Sequence, residues 1–451
     1  MPHLRARHTR SSVLCFLSTL LCLLSSVFCP LSPPAYSASD GAPAAKRQKD
    51  KAKKDGKGGN RVVAFPSRTS FPGTAKPDSI TLTWTDEPST TQTVRWRTSA
   101  TVATGTLAFA RGETATFDPA SAQKISAATH TLSTPTVLND TKVNFHTATI
   151  TGLEPGSRYT YAVGDGSATG WSEPATFTTA PVPGKPRPFS FIYIGDTQGA
   201  RAAWGDMMRG ALQKRPDAAF IVIAGDLVNR GLERDDYDNF FSLAKGVFNT
   251  RAVAPAAGNH DYQGGGPRIF QNFFALRENG PKNIGPGLAY SFEYSDALVI
   301  VLDSNRDIAG QAAWLEQQLR DTKATWKFVV YHHPAYNSSV GRSTPDIRRH
   351  WLPLFDKYHV DLALQGHDHG YLRTWPMRAN KRVATPADGT VYIVSYSCPK
   401  SYDLGKFDYT EVGFADVPTW QLIEVDPETR VLRYRAHDAA GKVRDEFSIK
   451  K

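Results

Sequence analysis

The most constraining feature of this chain is a series of short apolar runs that end in residues able to bind a metal ion. Stretches with helical spacing follow, near residues 202–213, 233–248, 311–321 and 344–358. Buried runs that alternate with helices predict βαβ units and a largely parallel sheet. The runs are FSFIYIGD (189–196), AAFIVIAGD (218–226), AVAPAAGNHD (252–261), WKFVVYHHP (326–334) and VDLALQGHDH (360–369).

The polar side chains that end these runs are expected to meet, because ligands of an open α/β sheet bind beyond the carboxyl ends of its strands. Each motif alone has an ordinary interpretation, such as a helix N-cap or a polar turn, but the five together favour a metal centre. Carboxylate, amide and imidazole ligands suit zinc, manganese or iron. His367 and His369 can each reach a different ion, which predicts two adjacent cations. The candidates are Asp196, Asp226, Asn259, His260, His332, His367 and His369.

A second kind of pattern precedes these runs. Short alternating runs rich in Thr, Val, Tyr and Trp fill residues 75–180 and predict an all-β domain at 73–182. Tyr159 follows the segment LEPGSR and fits a tyrosine corner, so the domain resembles a fibronectin type III sandwich. A Pro-rich segment then leads into the α/β domain, expected at 188–451. We expect this domain to be a sheet sandwich flanked by helices, in which the last strands form an antiparallel extension.

The N-terminus has the pattern of an export signal. Three arginines precede an uncharged apolar run, and small residues near position 37 predict cleavage there, so residues 1–37 are expected to leave as a signal peptide. The alternative is a retained membrane anchor, which the short, Ser-rich run disfavours. After cleavage no stable membrane insertion is expected. Residues 38–72 are rich in Lys and predict a disordered basic linker.

The distribution of charge and cysteine limits the classes of function that the chain could have. Residues 1–61 carry a net charge of +8, which leaves +2 of the total +10 for the rest, so a nucleic-acid-binding surface is not indicated. Three of the four cysteines precede the predicted cleavage site, and Cys398 is expected to be a small buried apolar residue. The chain contains no heptad pattern that would predict an assembly helix.

The order of motifs GD, GDxx, GNH(D/E), VxxH and GHxH resembles the calcineurin-like metallophosphoesterase superfamily. With a fibronectin-like domain in front, the chain resembles the purple acid phosphatases in particular. The resemblance implies that Asp196 and His369 hold the first metal, and that Asp226 bridges the two. It implies that Asn259, His332 and His367 hold the second metal. His333 is left as a neighbour of the ligands.

Two positions depart from the pattern of this family. Purple acid phosphatases carry an iron-binding tyrosine three residues after the second aspartate, where this chain has Asn229. Many related enzymes carry a histidine two residues after the first aspartate, where this chain has Gln198. The first metal therefore lacks both usual fourth ligands, which predicts a colourless and more exchangeable site to which Gln198 could add a weak oxygen ligand.

The resemblance implies an exported phosphomonoesterase that acts on a small phosphate ester with two Fe, Zn or Mn ions. A hydroxide that bridges the metals would attack phosphorus, and His260, oriented by Asp261, would protonate the leaving group. The alternatives are a phosphodiesterase or nucleotidase, and an exported binding protein without catalysis. Residues that could touch the substrate are Arg230, Tyr336, Asn337, Arg342 and Tyr371.

Overall fold

A computed structural model describes residues 64–113, 116–199, 202–264 and 266–451. The predicted signal peptide and most of the predicted linker lie outside these residues. None of the helices in the described ranges has the length and apolar content needed to cross a bilayer.

The first domain is the expected all-β sandwich. Its buried side chains include Trp96, Phe145 and Tyr161. The Glu154 N–H donates a hydrogen bond of 2.9 Å to the Tyr159 hydroxyl, which confirms the tyrosine corner. The seven strands are β1 (Asp78–Thr83), β2 (Gln92–Ser99), β3 (Gly105–Arg111), β4 (Gln123–Ser133), β5 (Lys142–Ile150), β6 (Arg158–Gly164) and β7 (Ala175–Thr178).

Strand β4 was not expected from the sequence. It pairs with β5 on one side and with β3 on the other, so it connects the two halves of the sandwich. Most of its side chains are exposed or half-buried. Because neither face is consistently buried, the strand lacks the apolar alternation that marks its neighbours.

The described part of the predicted linker lies against the sandwich. The Ser67 N–H donates to the Thr136 carbonyl and the Leu138 N–H donates to the Ser67 carbonyl. Asn139 makes hydrogen bonds of 3.0 and 2.9 Å with the backbone N–H and carbonyl of Thr69. The Phe65 N–H also donates to Glu233 Oε1 of the α/β domain at 2.8 Å. Residues 64–72 are therefore bound to the folded domains, whereas the sequence predicted a disordered linker up to residue 72.

The second domain contains two mixed sheets that face each other. Parallel strands form the centre of each sheet, and antiparallel strands extend them, which confirms the expected sheet sandwich with its antiparallel extension. The strands are β8 (Phe189–Ile194), β9 (Phe220–Ala224), β10 (Ala252–Ala256), β11 (Tyr290–Tyr294), β12 (Ala297–Val301), β13 (Trp326–Val330), β14 (Leu362–Gln365), β15 (Tyr371–Thr374), β16 (Met377–Arg378), β17 (Lys381–Arg382), β18 (Val391–Val394), β19 (Thr410–Phe414), β20 (Thr419–Asp426), β21 (Val431–Asp438) and β22 (Val443–Lys450).

Strand order explains where the site lies. In one sheet β8, β9 and β10 are parallel, and β20, β21 and β22 extend it antiparallel beside β8. In the other, β12, β13, β14 and β18 are parallel. Phe191 of the first sheet packs on Phe328 of the second with ring centroids 5.2 Å apart. The carboxyl ends of both parallel sets carry the candidate ligands.

Helices cover the outer faces of the two sheets, as expected for a sheet sandwich in an α/β domain. The predicted helix at 344–358 is two helices, α5 and α6, because Pro353 cannot donate the hydrogen bond that would continue the first one. The helices are α1 (Ala202–Lys214), α2 (Arg234–Leu243), α3 (Arg268–Phe273), α4 (Ala312–Asp321), α5 (Pro345–His350) and α6 (Leu352–Tyr358).

The two domains share one sheet and several buried polar contacts. Strand β1 pairs in parallel with β10, so the sandwich continues the sheet of β8–β10. Arg95 donates to the carbonyls of Gln271, at 3.0 Å, and Phe274, at 2.8 Å. Arg97 is paired with Asp78 in its own domain and with Asp238 on α2. These contacts fix the sandwich to the α/β domain.

Candidate metal centre

Four of the candidate ligands have left-handed backbone conformations. The φ angles are 38° at Asp196, 52° at Asp226, 76° at His367 and 41° at His369. Non-glycine residues adopt such angles rarely, and they concentrate at functional sites where the surrounding structure holds them. All four follow the carboxyl ends of parallel strands β8, β9 and β14. The turns after these strands therefore direct the side chains inward.

Glycines allow the turns to approach the ligands closely. A Cβ atom on Gly258 would lie 2.1 Å from Asp226 Oδ1, and one on Gly366 would lie 2.2 Å from Asp196 Oδ1. Only glycine fits without displacing the carboxylates.

The first group of ligand atoms comes from Asp196, Asp226 and His369, which are all buried and lie within 4.8 Å of one another. Asp196 Oδ1 accepts the His367 N–H at 2.6 Å, while Asp196 Oδ2 has no hydrogen-bond partner. Yet Asp196 Oδ2 is 2.9 Å from His369 Nε2. Two lone-pair atoms that lie this close without hydrogen-bond geometry fit a shared cation.

The second group surrounds His332. The His332 ring lies 2.8 Å from the Ala224 carbonyl through Nδ1, which therefore carries the proton. Its Nε2 faces three further atoms, Asn259 Oδ1 at 3.0 Å, His367 Nδ1 at 3.1 Å and Asp226 Oδ2 at 3.2 Å. The oxygens and nitrogens converge on one point, as the ligands of a divalent ion do.

The electrostatics of this group favour a positive charge at its centre. Burial by itself lowers the pKa of His332, but the charges of Asp226 and Asp196 outweigh it and raise that pKa to about 9. Burial acts against the charge of Asp226 as well, yet His332 lowers the pKa of the carboxyl to about 2. Burial and the neighbouring His332 lower the pKa of His367. A metal ion would supply the positive charge that the proton on His332 supplies without it.

His333 lies closer to the ligands than the sequence suggested. Its ring centroid is 4.4 Å from that of His367, and its ligand atoms group with those of His332 and His367. Its Nδ1 lies 2.9 Å from Ser304 Oγ. Burial and His332 lower the pKa of His333 to about 3, so it is neutral. The doubled histidine in VVYHHP was the signal, but the motif alone assigned a role only to the first of the pair.

His260 lies at the edge of the centre. Its N–H donates to Asp226 Oδ1 at 2.8 Å, and its Nδ1 lies 2.6 Å from the Asn229 carbonyl, which can only accept. Gln263 Nε2 lies 3.1 Å from the same Nδ1. These contacts leave His260 Nε2 as the nitrogen available for proton transfer.

Asp261 does not orient His260, and that expectation is corrected. Its Oδ2 accepts the N–H groups of Gly258, at 2.8 Å, and Leu227, at 3.3 Å, and its Oδ1 accepts the Tyr237 hydroxyl at 2.9 Å. Burial and the charge of Asp226 raise the pKa of Asp261 to about 7. The carboxyl points into the core and joins the loops after β9 and β10.

The two positions that depart from the family pattern differ in their surroundings. Gln198 is buried, and its Oε1 has no hydrogen-bond partner. An orphaned buried oxygen beside the Asp226 loop fits the expected weak ligand, since the Gln198 N–H donates to the Asp226 carbonyl. Asn229 is exposed, and it serves the centre through its carbonyl and His260.

Cys398 was expected to be a buried apolar residue, and its contacts are more specific than that. Its Sγ lies 3.4 Å from His369 Nδ1 and 3.4 Å from the Lys400 carbonyl. Burial, and then the charge of Asp196, raise the pKa of the thiol to about 12. Sequence reasoning missed this contact because nothing in VSYSCPK points to a histidine about thirty residues away.

The residues expected to touch a substrate separate into two kinds. Tyr336, Asn337 and Tyr371 are buried, and the Tyr371 hydroxyl bonds Asp445 at 2.7 Å, so they belong to the core. Arg230 is exposed and paired with Asp236. Arg342 is partly exposed, and its guanidinium lies 3.2 Å from Asp368 Oδ1. Asp368 is the residue between the two histidines of the HDH segment. Arg342 is the one that remains beside the ligands.

Comparison with known proteins agrees with the motifs and the fold. Residues 189–371 match the calcineurin-like phosphoesterase family, and residues 77–179 match the N-terminal domain of purple acid phosphatases. The structure of purple acid phosphatase PPD1 from yellow lupin seeds aligns with a TM-score of 0.71 at 19% identity, covering 83% of this chain and 74% of that one. At this identity the similarity shows the fold alone.

Curated relatives match over part of their length. An uncharacterized protein of Mycobacterium tuberculosis H37Rv is 31% identical over 313 residues, which are 57% of this chain and 58% of that protein. Fe(3+)-Zn(2+) purple acid phosphatase 12 of Arabidopsis thaliana is 28% identical over 268 residues, 54% of this chain and 55% of that protein. The chain thus spans less than two thirds of either relative.

Proposed function

This chain belongs to the calcineurin-like metallophosphoesterase superfamily and carries a purple acid phosphatase N-terminal domain, and from that premise we propose that it is an exported phosphomonoesterase with two metal ions. The observation that carries the proposal is the convergence of buried carboxylate and imidazole atoms, among which Asp196 Oδ2 and His369 Nε2 lie 2.9 Å apart without a hydrogen bond.

The ligands divide between two ions. Asp196 and His369 would hold the first ion, and Asn259, His332 and His367 would hold the second, with Asp226 shared between the two. When bound, such ions neutralise the charge of a phosphate and lower the pKa of a water molecule. Iron, zinc and manganese all suit this mixture of oxygen and nitrogen ligands.

The side chains of the protein orient the substrate and move the proton. Arg342 offers a positive charge to the substrate phosphate, and Asp368 holds its guanidinium in place. When water attacks phosphorus and the bond to the leaving oxygen breaks, His260 gives its Nε2 proton to that oxygen. The Asn229 carbonyl accepts a hydrogen bond from Nδ1 and so fixes the orientation of the His260 ring, which leaves Nε2 free of this contact. The proposed substrate is a small phosphate monoester.

Metal removal and replacement test this function. The full chain is dialysed against a chelator and assayed on a monoester and on the matching bis-ester after Zn²⁺, Mn²⁺ or Fe²⁺ is restored. We expect activity on the monoester to disappear with the metal and to return with it. Activity that returns with none of these ions would instead support an exported binding protein.

A phosphodiesterase or nucleotidase is the second candidate. It is favoured by the absence of the purple acid phosphatase tyrosine, since the position is Asn229, and by Gln198 at the other usual ligand position. Faster hydrolysis of the bis-ester than of the monoester across several pH values would establish the diesterase and overturn the monoesterase.

A further inference from the structure

We propose that Cys398 is a positioning residue of the metal centre, whose thiol fixes the His369 ring with Nε2 directed at the first ion. The proposal depends on metal binding, which is part of the proposed function, but it does not depend on hydrolysis. Cys398 is the one cysteine within the described residues, and it is fully buried beside the first group of ligands.

The direction of the hydrogen bonds follows from the two groups that contact the Cys398 sulfur. The Lys400 carbonyl can only accept, so the thiol hydrogen points towards it across 3.4 Å. The sulfur lone pairs then face His369 Nδ1, also at 3.4 Å, and accept a hydrogen bond from its N–H. A chain from Nδ1–H to sulfur to carbonyl therefore assigns the His369 proton to Nδ1. Nε2 is left bare, 2.9 Å from Asp196 Oδ2.

Other contacts of His369 do not select this tautomer. The ring stacks on Tyr402 with centroids 4.5 Å apart and planes 15° from parallel. Stacking fixes the plane of the ring, but a half turn about the last side-chain bond leaves that plane unchanged, so stacking does not decide which ring edge faces Asp196. It also does not decide which nitrogen carries the proton. The contact with sulfur supplies the missing information.

The hydrogen-bond acceptor of Nδ1 also differs between His332, at the second ion, and His369, at the first. The His332 Nδ1–H donates a hydrogen bond to a carbonyl oxygen at 2.8 Å, whereas the His369 Nδ1–H donates to a thiol, a weaker acceptor. A weaker acceptor polarises the imidazole less and makes Nε2 a poorer ligand. The first ion is therefore held less tightly than the second. Because the sulfur contacts the nitrogen opposite Asp196, Cys398 acts through His369 and is not itself a ligand.

The test compares metal affinities in variants of the full chain. Cys398→Val keeps an apolar side chain of similar size but removes the acceptor, while Cys398→Ser restores an acceptor. Metal-free protein is titrated with Zn²⁺ against a chromophoric chelator. For Cys398→Val we expect the dissociation constant of the weaker site to rise about 10–100-fold, with the tighter site unchanged. Cys398→Ser should regain part of the lost affinity.

Two results would overturn the inference. One is a Cys398→Val variant that binds both ions with the constants of the unaltered chain. The other needs no variant, which protects the test against misfolding: side-chain ¹H–¹⁵N spectra of the zinc-loaded natural chain should show His369 protonated at Nδ1, and a proton at Nε2 contradicts the proposal. A natural chain that binds no zinc would remove the proposed function as well, so the two failures are distinguishable.

Discussion

At the scale of single residues, Asp226 matters most, because both proposed metal sites depend on its carboxylate. Its Oδ1 accepts the His260 N–H, and its Oδ2 lies 3.2 Å from His332 Nε2. We expect Asp226→Asn to preserve the shape of the loop but to lose metal, because an amide lacks the charge that two cations require. Activity should fall by more than about 100-fold, beyond the usual effect of an outer-shell change.

The control for this change is Asp361→Asn, another buried aspartate at the opposite end of β14. Its carboxylate pairs with Lys451 at 2.8 Å, far along the strand from His367. Metal content per chain, measured by inductively coupled plasma mass spectrometry, should be unchanged in this variant. Equal metal content in both variants would exclude Asp226 as the bridging ligand.

The role of His260 is tested by the leaving group. We expect His260→Ala to slow esters with poor leaving groups by about 10²–10⁴-fold, the usual contribution of a general acid. Activated aryl esters should be affected much less, because their leaving groups depart without a proton. Steady-state kcat on an alkyl and an aryl phosphate gives the comparison. An equal loss on both esters would count against the acid role.

At the scale of elements, the centre depends on how closely the strand-end loops approach each other. A Cβ at Gly258 would lie 2.1 Å from Asp226 Oδ1, whereas a Cβ at Gly210 in α1 would meet nothing within 4 Å. We expect Gly258→Ala to displace Asp226 and reduce metal content and activity. Gly210→Ala should leave both unchanged and stabilise the helix by about 0.5–1 kcal/mol. Full activity in Gly258→Ala would show that the loops tolerate separation.

The sequence predicted that most of the candidate ligands lie together, because the end of an apolar strand can be recognised from the sequence alone. Parallel strands place their carboxyl ends together, so Asp196 and His332 could be assigned to one site although 136 positions separate them. Side-chain direction within a loop is not visible in this way. Asp261 follows His260 directly, yet it points into the core, and Cys398 reaches His369 only through tertiary packing.

At the scale of the whole molecule, the sandwich is part of the same folded unit as the α/β domain. Arg97 of β2 is fully buried and pairs with Asp78 and with Asp238 of α2. We expect Arg97→Ala to destabilise the protein by about 3 kcal/mol, the low end of the usual cost of breaking a buried ion pair. The reason is that the buried Asp238 carboxylate loses Arg97 and keeps only its ion pair of 3.3 Å with Arg234. Calorimetry measures the loss as a lower Tm.

An exposed ion pair of the same domain provides the control. Arg111 pairs with Glu154 at the surface of the sandwich, where both side chains are more than half exposed. Arg111→Ala should change stability by about 0–1 kcal/mol. Similar losses in the two arginine variants would mean that the buried pair does not join the domains.

The central claim is that loops from both sheets meet around two metal ions. Crystals of the full chain soaked in Zn²⁺ test it by anomalous diffraction at the zinc edge. The account predicts two separate peaks, one between Asp196 and His369 and one among Asn259, His332 and His367, with Asp226 beside both. A single peak, or peaks only at surface histidines, would contradict it.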